Sequence, residues 1–161
     1  MNKTERFETM TAPPFNILLV EDEPNDVFLI ERAFRKCDSQ HCLQSVHDGE
    51  QAIAYLGGAS EFADRLKYPI PSLILLDLKL PRRGGLEVLA WLRGRHDTLK
   101  RLPVIVLTSS KQASDVNRAY ELGANSYLVK PVAFDGLLEL VKAVNSYWTH
   151  FNEKPDLNPA G

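Results

Sequence analysis

Residues 15–26 read FNILLVEDEPND, in which the apolar run Ile17 to Val20 leads directly into three acids, Glu21, Asp22 and Glu23. Adjacent like charges repel, so such a cluster calls for a positive partner. The same punctuation recurs along the chain: LILLDLKLP places Asp77 after an apolar run, VIVLTSS places Thr108, and YLVKP places Lys130. Glu21, Asp22 and Asp77 gathered into one small volume would demand a cation. With no His or Cys among them, this donor set points to Mg²⁺ or Mn²⁺. Mg²⁺ takes only one or two protein carboxylates and fills its shell with water and phosphate oxygens, so the fitting guest is a phosphoryl group. The Thr108 hydroxyl and the Lys130 ammonium would each hold a phosphoryl oxygen. Thr108 has no neighbouring base, whereas Asp77 is already an ionised oxygen nucleophile, which makes it the choice of acceptor.

These residues need a scaffold that brings strand ends together. The apolar runs 16–20, 72–76, 103–107 and 126–130 do not alternate with polar residues, as expected of strands buried on both faces of a parallel sheet; 42–47 is a weaker strand. Helical patterns fall between them, at 25–37 after Pro24, 49–56, 85–94, 112–122 and 134 to about 151. Strand and helix thus alternate five times. Right-handed crossovers make such a chain a doubly wound (βα)5 α/β sandwich, with its ligand crevice at the carboxyl ends of the strands. Residues 57–71 read as an exposed connection, and 1–14 and 152–161 as a disordered N-terminal and a flexible C-terminal tail around a domain at 15–151.

Composition narrows the function classes. The 161 residues are 44% apolar and 25% charged, which suits one domain, and 19 Lys and Arg against 21 Asp and Glu leave a net charge of −2. That balance gives no reason to expect nucleic acid as a partner, and the residues after the last helix are not basic. No apolar run reaches the roughly 20 residues that cross a bilayer, so the expectation is a cytoplasmic protein without membrane association. Cys37 and Cys42 form no CxxC pair and read as packing residues.

An acidic pair after strand one, an Asp after strand three followed by LKLP, a Thr after strand four and KP after strand five resemble the receiver domain of two-component response regulators over residues 15–148. That resemblance implies the flavodoxin-like strand order 2-1-3-4-5. It implies Asp77 as phosphoacceptor, Asp22 as principal metal ligand with Glu21 assisting, and the Lys79 main-chain carbonyl as a further ligand. It also implies that Thr108 and Lys130 read the phosphorylated state, that Tyr127 is a switch residue, and that the Lys130–Pro131 peptide is cis. The chain departs from the family where Lys79 and Ser110 stand two positions after Asp77 and Thr108. Neither suits orientation of an attacking water, which implies slow self-dephosphorylation. The long loop before strand three, Gly123-Ala124-Asn125, and Tyr147 with Trp148 are similar to regulators paired with phytochrome-type histidine kinases.

The expected function is a stand-alone switch, phosphorylated by a sensor histidine kinase and without further enzymatic activity. The rival is an Mg²⁺-dependent phosphotransferase or phosphatase with an Asp nucleophile, which would need a second acid beside the nucleophile and a cap segment; Leu78 and Lys79 follow Asp77 instead. A homodimer is expected on the helix four, strand five and helix five face, where Tyr147, Trp148 and Phe151 would meet Val116, Ala119 and Tyr120.

Overall fold

The structure, a computed structural model, describes residues 15–37 and 41–158. It contains β1 (Phe15–Val20), α1 (Pro24–Cys37), β2 (His41–Val46), α2 (Gly49–Gly57), β3 (Leu73–Leu76), α3 (Gly85–Arg93), β4 (Val104–Thr108), α4 (Ala113–Glu121), β5 (Ser126–Val129) and α5 (Phe134–Asn145). Short 3-10 turns at Ser60–Phe62 and Thr98–Arg101 precede β3 and β4. All pairings are parallel and the sheet order is β2-β1-β3-β4-β5, the doubly wound order expected.

Burial follows from that topology. The inner strands β1, β3 and β4 are covered on both faces, and successive residues feed opposite layers. Leu18, Val20, Ile74, Leu76, Val104 and Val106 pack with Tyr55, Leu56, Val88, Leu89 and Leu92 of α2 and α3. Ile17, Leu19, Leu73, Leu75, Ile105 and Leu107 pack with Val27, Ile30, Phe34, Leu137, Val141 and Val144 of α1 and α5. The edge strands β2 and β5 are only partly covered. Local chemistry sets the helix ends. Pro24, whose missing N–H costs nothing at a first turn, opens α1. The Asp48 carboxylate accepts from Gln51 N–H at 2.7 Å to cap α2, and Gly58 closes it at φ 65°.

Three expectations meet a different structure. The last helix turns to π geometry at Ser146–Phe151, leaving Trp148 half-buried on the α1/α5 layer while Tyr147 and Phe151 are exposed. Ala119, expected at an interface, is fully buried, because α4 turns that small residue onto the sheet. Residues 152–158, expected as a flexible tail, are docked: Leu157 packs on the α2/α3 layer, its carbonyl accepts from Thr98 Oγ1 at 2.7 Å, and the Asp156 carbonyl accepts from Arg101 at 3.1 Å. Residues 1–14 and 159–161 lie outside the described residues.

Candidate functional site

Parallel register levels the ends of the strands. Val20 pairs with Leu76 and Leu76 with Val106, so Glu21 and Asp77 emerge side by side, with Thr108 closing β4 beside them. Asp77 N–H donates to Val20 O at 3.0 Å, and Lys130 N–H donates to Thr108 O at 2.8 Å, which seats the lysine next to the threonine. Gly85 serves the same end: a Cβ there would lie 2.1 Å from the Asp77 carbonyl oxygen, so only glycine lets α3 start this close.

Glu21, Asp22 and Asp77 each offer a carboxylate oxygen, all within 4.8 Å of one another. Glu21 and Asp77 are buried, whereas Asp22 is exposed. Lys130 Nζ donates to Glu21 Oε2 at 2.5 Å, to Asp77 Oδ2 at 2.9 Å and to Asp26 Oδ2 at 2.9 Å. Asp77 Oδ1 accepts from Leu78 N–H at 2.7 Å. Thr108 Oγ1 is buried with no hydrogen-bond partner. It makes no hydrogen bond of good geometry, yet it lies near enough to Asp77 to help hold that carboxyl down, so it stands beside the acid with its bonding incomplete.

The electrostatics separate the two buried acids. Burial, helped by the neighbouring Asp77, pushes the Glu21 carboxyl up to about 7 against the opposing bond from Lys130. Burial works on Asp77 in the same direction, but the Lys130 ammonium and the bond to Glu21 outweigh it and hold that carboxyl below its ordinary range. Lys130 is held well above its ordinary value, because its three carboxylates outweigh the burial that opposes its charge. Asp77 is therefore the more readily ionised acid of the pair.

Oxygen donors with no soft ligand, carrying more negative charge than one ammonium cancels, fit Mg²⁺ or Mn²⁺. The expected residues Glu21, Asp22, Asp77, Thr108 and Lys130 all come together here. Tyr127 donates its hydroxyl to Ser110 O at 2.9 Å, which ties β5 to the β4–α4 loop rather than to the crevice itself. The sequence reading missed Asp26. Its only signal was its place one turn beyond Asp22 in EDEPND, a spacing that also suits plain negative charge at a helix start. One expectation fails outright: no cis peptide occurs among the described residues, so Lys130–Pro131 is trans. The trans form is the favoured one, and Lys130 reaches all three carboxylates from it.

The family model described as response regulator receiver domain matches residues 17–142. The chain belongs to that family. Its receiver is 41% identical over 136 residues to response regulator Rcp1 of Synechocystis sp., covering 84% of this chain and 90% of that one. It is 39% identical over 147 residues to the probable methanogenesis regulatory protein FilR2 of Methanothrix harundinacea, covering 88% of each. The phosphorylated cyanobacterial phytochrome response regulator RcpA superposes with a TM-score of 0.83 at 37% identity, over 89% of this chain and 100% of that one. The Mn²⁺-bound form of Rcp1 superposes with a TM-score of 0.80 at 38% identity, with the same coverage. Receivers of this family are phosphoacceptors in two-component signalling, and no helix among the described residues is long and apolar enough to cross a membrane.

Proposed function

We propose that Asp77 is the phosphoacceptor of a stand-alone cytoplasmic switch, loaded by a sensor histidine kinase of the phytochrome type. The observation that carries the site assignment is one ammonium, Lys130, shared by Glu21, Asp26 and Asp77 beside the incompletely bonded Thr108 hydroxyl. Asp22 and Asp77 would hold the divalent ion, with Glu21 assisting and the Lys79 carbonyl completing the protein's share. When bound, the ion neutralises phosphoryl oxygens and the excess of carboxylate charge. The Asp77 carboxylate attacks the phosphorus of the kinase's phosphohistidine as the P–N bond opposite breaks, and the electron pair returns to the departing histidine ring. Lys130 moves its donors from Asp77 to a phosphoryl oxygen, and Thr108 completes its bonding there. Thr108 moving toward that oxygen vacates space beside Tyr127, whose bond to Ser110 O then reports the change to the α4–β5–α5 face.

The phytochrome-type partner is supported by the likeness to RcpA and Rcp1, and the likeness to FilR2 is the reason to test it. Mg²⁺-dependent labelling by acetyl phosphate that survives in the wild type and vanishes in a folded Asp77→Asn protein is the expected result. Label retained on that variant would refute the assignment, and sustained turnover of a phosphate monoester would favour the phosphatase alternative. On this reading, phosphotransfer from an autophosphorylated phytochrome-type kinase outpaces transfer from unrelated histidine kinases.

The homodimer belongs to the same proposal. Tyr120, Tyr147 and Phe151 are exposed at 51%, 56% and 76%, an apolar set to which half-buried Val116 and Trp148 add. Ala119 is buried against the sheet and takes no part. Exposed aromatic residues on one face suit a self-complementary interface. Sedimentation as a dimer that weakens in Trp148→Ala with Phe151→Ala is expected; a wild-type monomer at tens of micromolar protein, with or without acyl phosphate, would reject the dimer.

A further inference from the structure

Lys130 spends all three donors of its ammonium on carboxylates: Glu21 Oε2 at 2.5 Å, Asp26 Oδ2 at 2.9 Å and Asp77 Oδ2 at 2.9 Å. The three acids are not equivalent. Glu21 and Asp77 belong, with Asp22, to the group whose oxygens gather within 4.8 Å and fit a divalent ion; Asp26 stands outside that group. Asp77 is also the acid that the proposed reaction consumes. Asp26 is thus the one partner of Lys130 that neither the ion nor the reaction claims.

The fold makes Asp26 a firm anchor. It lies in the first turn of α1, next to Val27 and one turn before Ile30, both packed in the α1/α5 layer with Leu137 and Val141. Lys130 is fixed through its own backbone, its N–H donating to Thr108 O at 2.8 Å. The bond between the two side chains therefore ties the start of α1 to the segment between β5 and α5. An aspartate in a first turn also favours its helix without any partner. The two roles part when Lys130 is removed.

We propose that Asp26 is a positioning residue for phosphoryl transfer, keeping the Lys130 ammonium seated while its bond to Asp77 is given up. The inference rests on Asp77 as acceptor. In transfer from acetyl phosphate, an Asp77 oxygen bonds to phosphorus as the P–O bond opposite breaks, and acetate leaves with the electron pair. The donor that Lys130 held on Asp77 turns to a phosphoryl oxygen. An ammonium on a flexible four-carbon stem keeps its place through that turn only if another bond holds it. Asp26 supplies that bond from α1, and a charge-assisted bond holds more firmly than a neutral one.

Two measurements on the full chain test this. Reductive methylation of the metal-free protein, read at Lys130 by peptide mass spectrometry, reports seating without any phosphoryl donor. Asp77→Asn alone is expected to leave Lys130 protected, whereas Asp77→Asn with Asp26→Ala is expected to react about tenfold faster. Initial rates of labelling by acetyl phosphate at saturating Mg²⁺ report the consequence. Asp26→Ala is expected to lose about tenfold, and Asp26→Asn, which keeps an acceptor oxygen, about threefold. Loss of a negative charge alone would instead speed labelling by an anionic donor. In a Lys130→Met background, Asp26→Ala is expected to change the rate by less than about twofold, because the partner it acts through is gone. Lys130 equally protected in both Asp77→Asn proteins would overturn the proposal. So would a labelling loss of the same size in both backgrounds, which would assign Asp26 to its helix alone. No label on the wild type would overturn Asp77 as acceptor, and the proposal with it.

Discussion

Two half-buried cations hold the two ends of this sheet, and they are treated in opposite ways. Arg93, toward the amino ends of the strands, donates to the carbonyls of Gly123, Lys100 and Leu102 and to Asn125 Oδ1, at 2.7 to 3.1 Å. All four acceptors are neutral. Lys130, at the carboxyl ends, faces three carboxylates. The first arrangement satisfies its hydrogen bonds and stores no excess negative charge, so it is a staple joining α3, the turn before β4 and the turn before β5. The second leaves negative charge uncancelled beside the incompletely bonded Thr108 hydroxyl, and on the proposed function a cation and a phosphoryl oxygen would complete it. Incomplete satisfaction, more than burial, separates the working end of this receiver from its structural end.

Breaking either cation should expose that difference. Lys130→Met leaves buried carboxylates without their counter-charge, and urea unfolding of the metal-free protein is expected to show a loss of about 3–5 kcal/mol. Mg²⁺ should restore part of it, because the ion supplies the missing positive charge. Arg93→Met abandons buried carbonyls rather than charges, and about 2–3 kcal/mol is the expected loss. Mg²⁺ should restore none of it; rescue of both variants alike would erase the contrast.

Smaller effects sharpen it. Leu157→Ala removes the apolar anchor of the docked C-terminal segment at the structural end, for about 1–2 kcal/mol in the same unfolding assay and no change in labelling of Asp77. Thr108→Val deletes a hydroxyl that makes no hydrogen bond of good geometry, so stability should move by less than about 1 kcal/mol. The phosphorylation-dependent change in Tyr127 fluorescence should nevertheless disappear. A Thr108→Val protein that loses several kcal/mol would mean the hydroxyl is already satisfied.

The Lys130 end of this contrast was legible in the sequence, and the Arg93 end was hidden for physical reasons. Unbroken apolar runs ending in Glu21, Asp77, Thr108 and Lys130 announced both the parallel sheet and its crevice, because burial on both faces and a polar terminus leave a linear trace. Asp26 left none, since its bond to Lys130 spans 104 residues and depends on how α1 leans on the β5 end. The Gly123-Ala124-Asn125 motif was read as a marker of kinase pairing, yet the structure gives it local work. Gly123 adopts φ 99°, and Asn125 Oδ1 accepts from Val104 N–H at 2.8 Å and from Arg93. The docked tail was missed because one leucine in a polar, proline-containing stretch carries no periodic signal, and its anchors at Thr98 and Arg101 are distant in sequence. Ala119 was misplaced because a small residue fits either side of a helix, and only the packing against the sheet decides.

The most direct test of the account is the position of the phosphoryl group. After brief exposure to acetyl phosphate and Mg²⁺, borohydride reduction converts an aspartyl phosphate to homoserine, and peptide mass spectrometry reads where that conversion occurred. Homoserine at position 77, absent when Mg²⁺ is chelated, is the predicted result. Conversion at any other acid, or at Asp77 regardless of the metal, would contradict it.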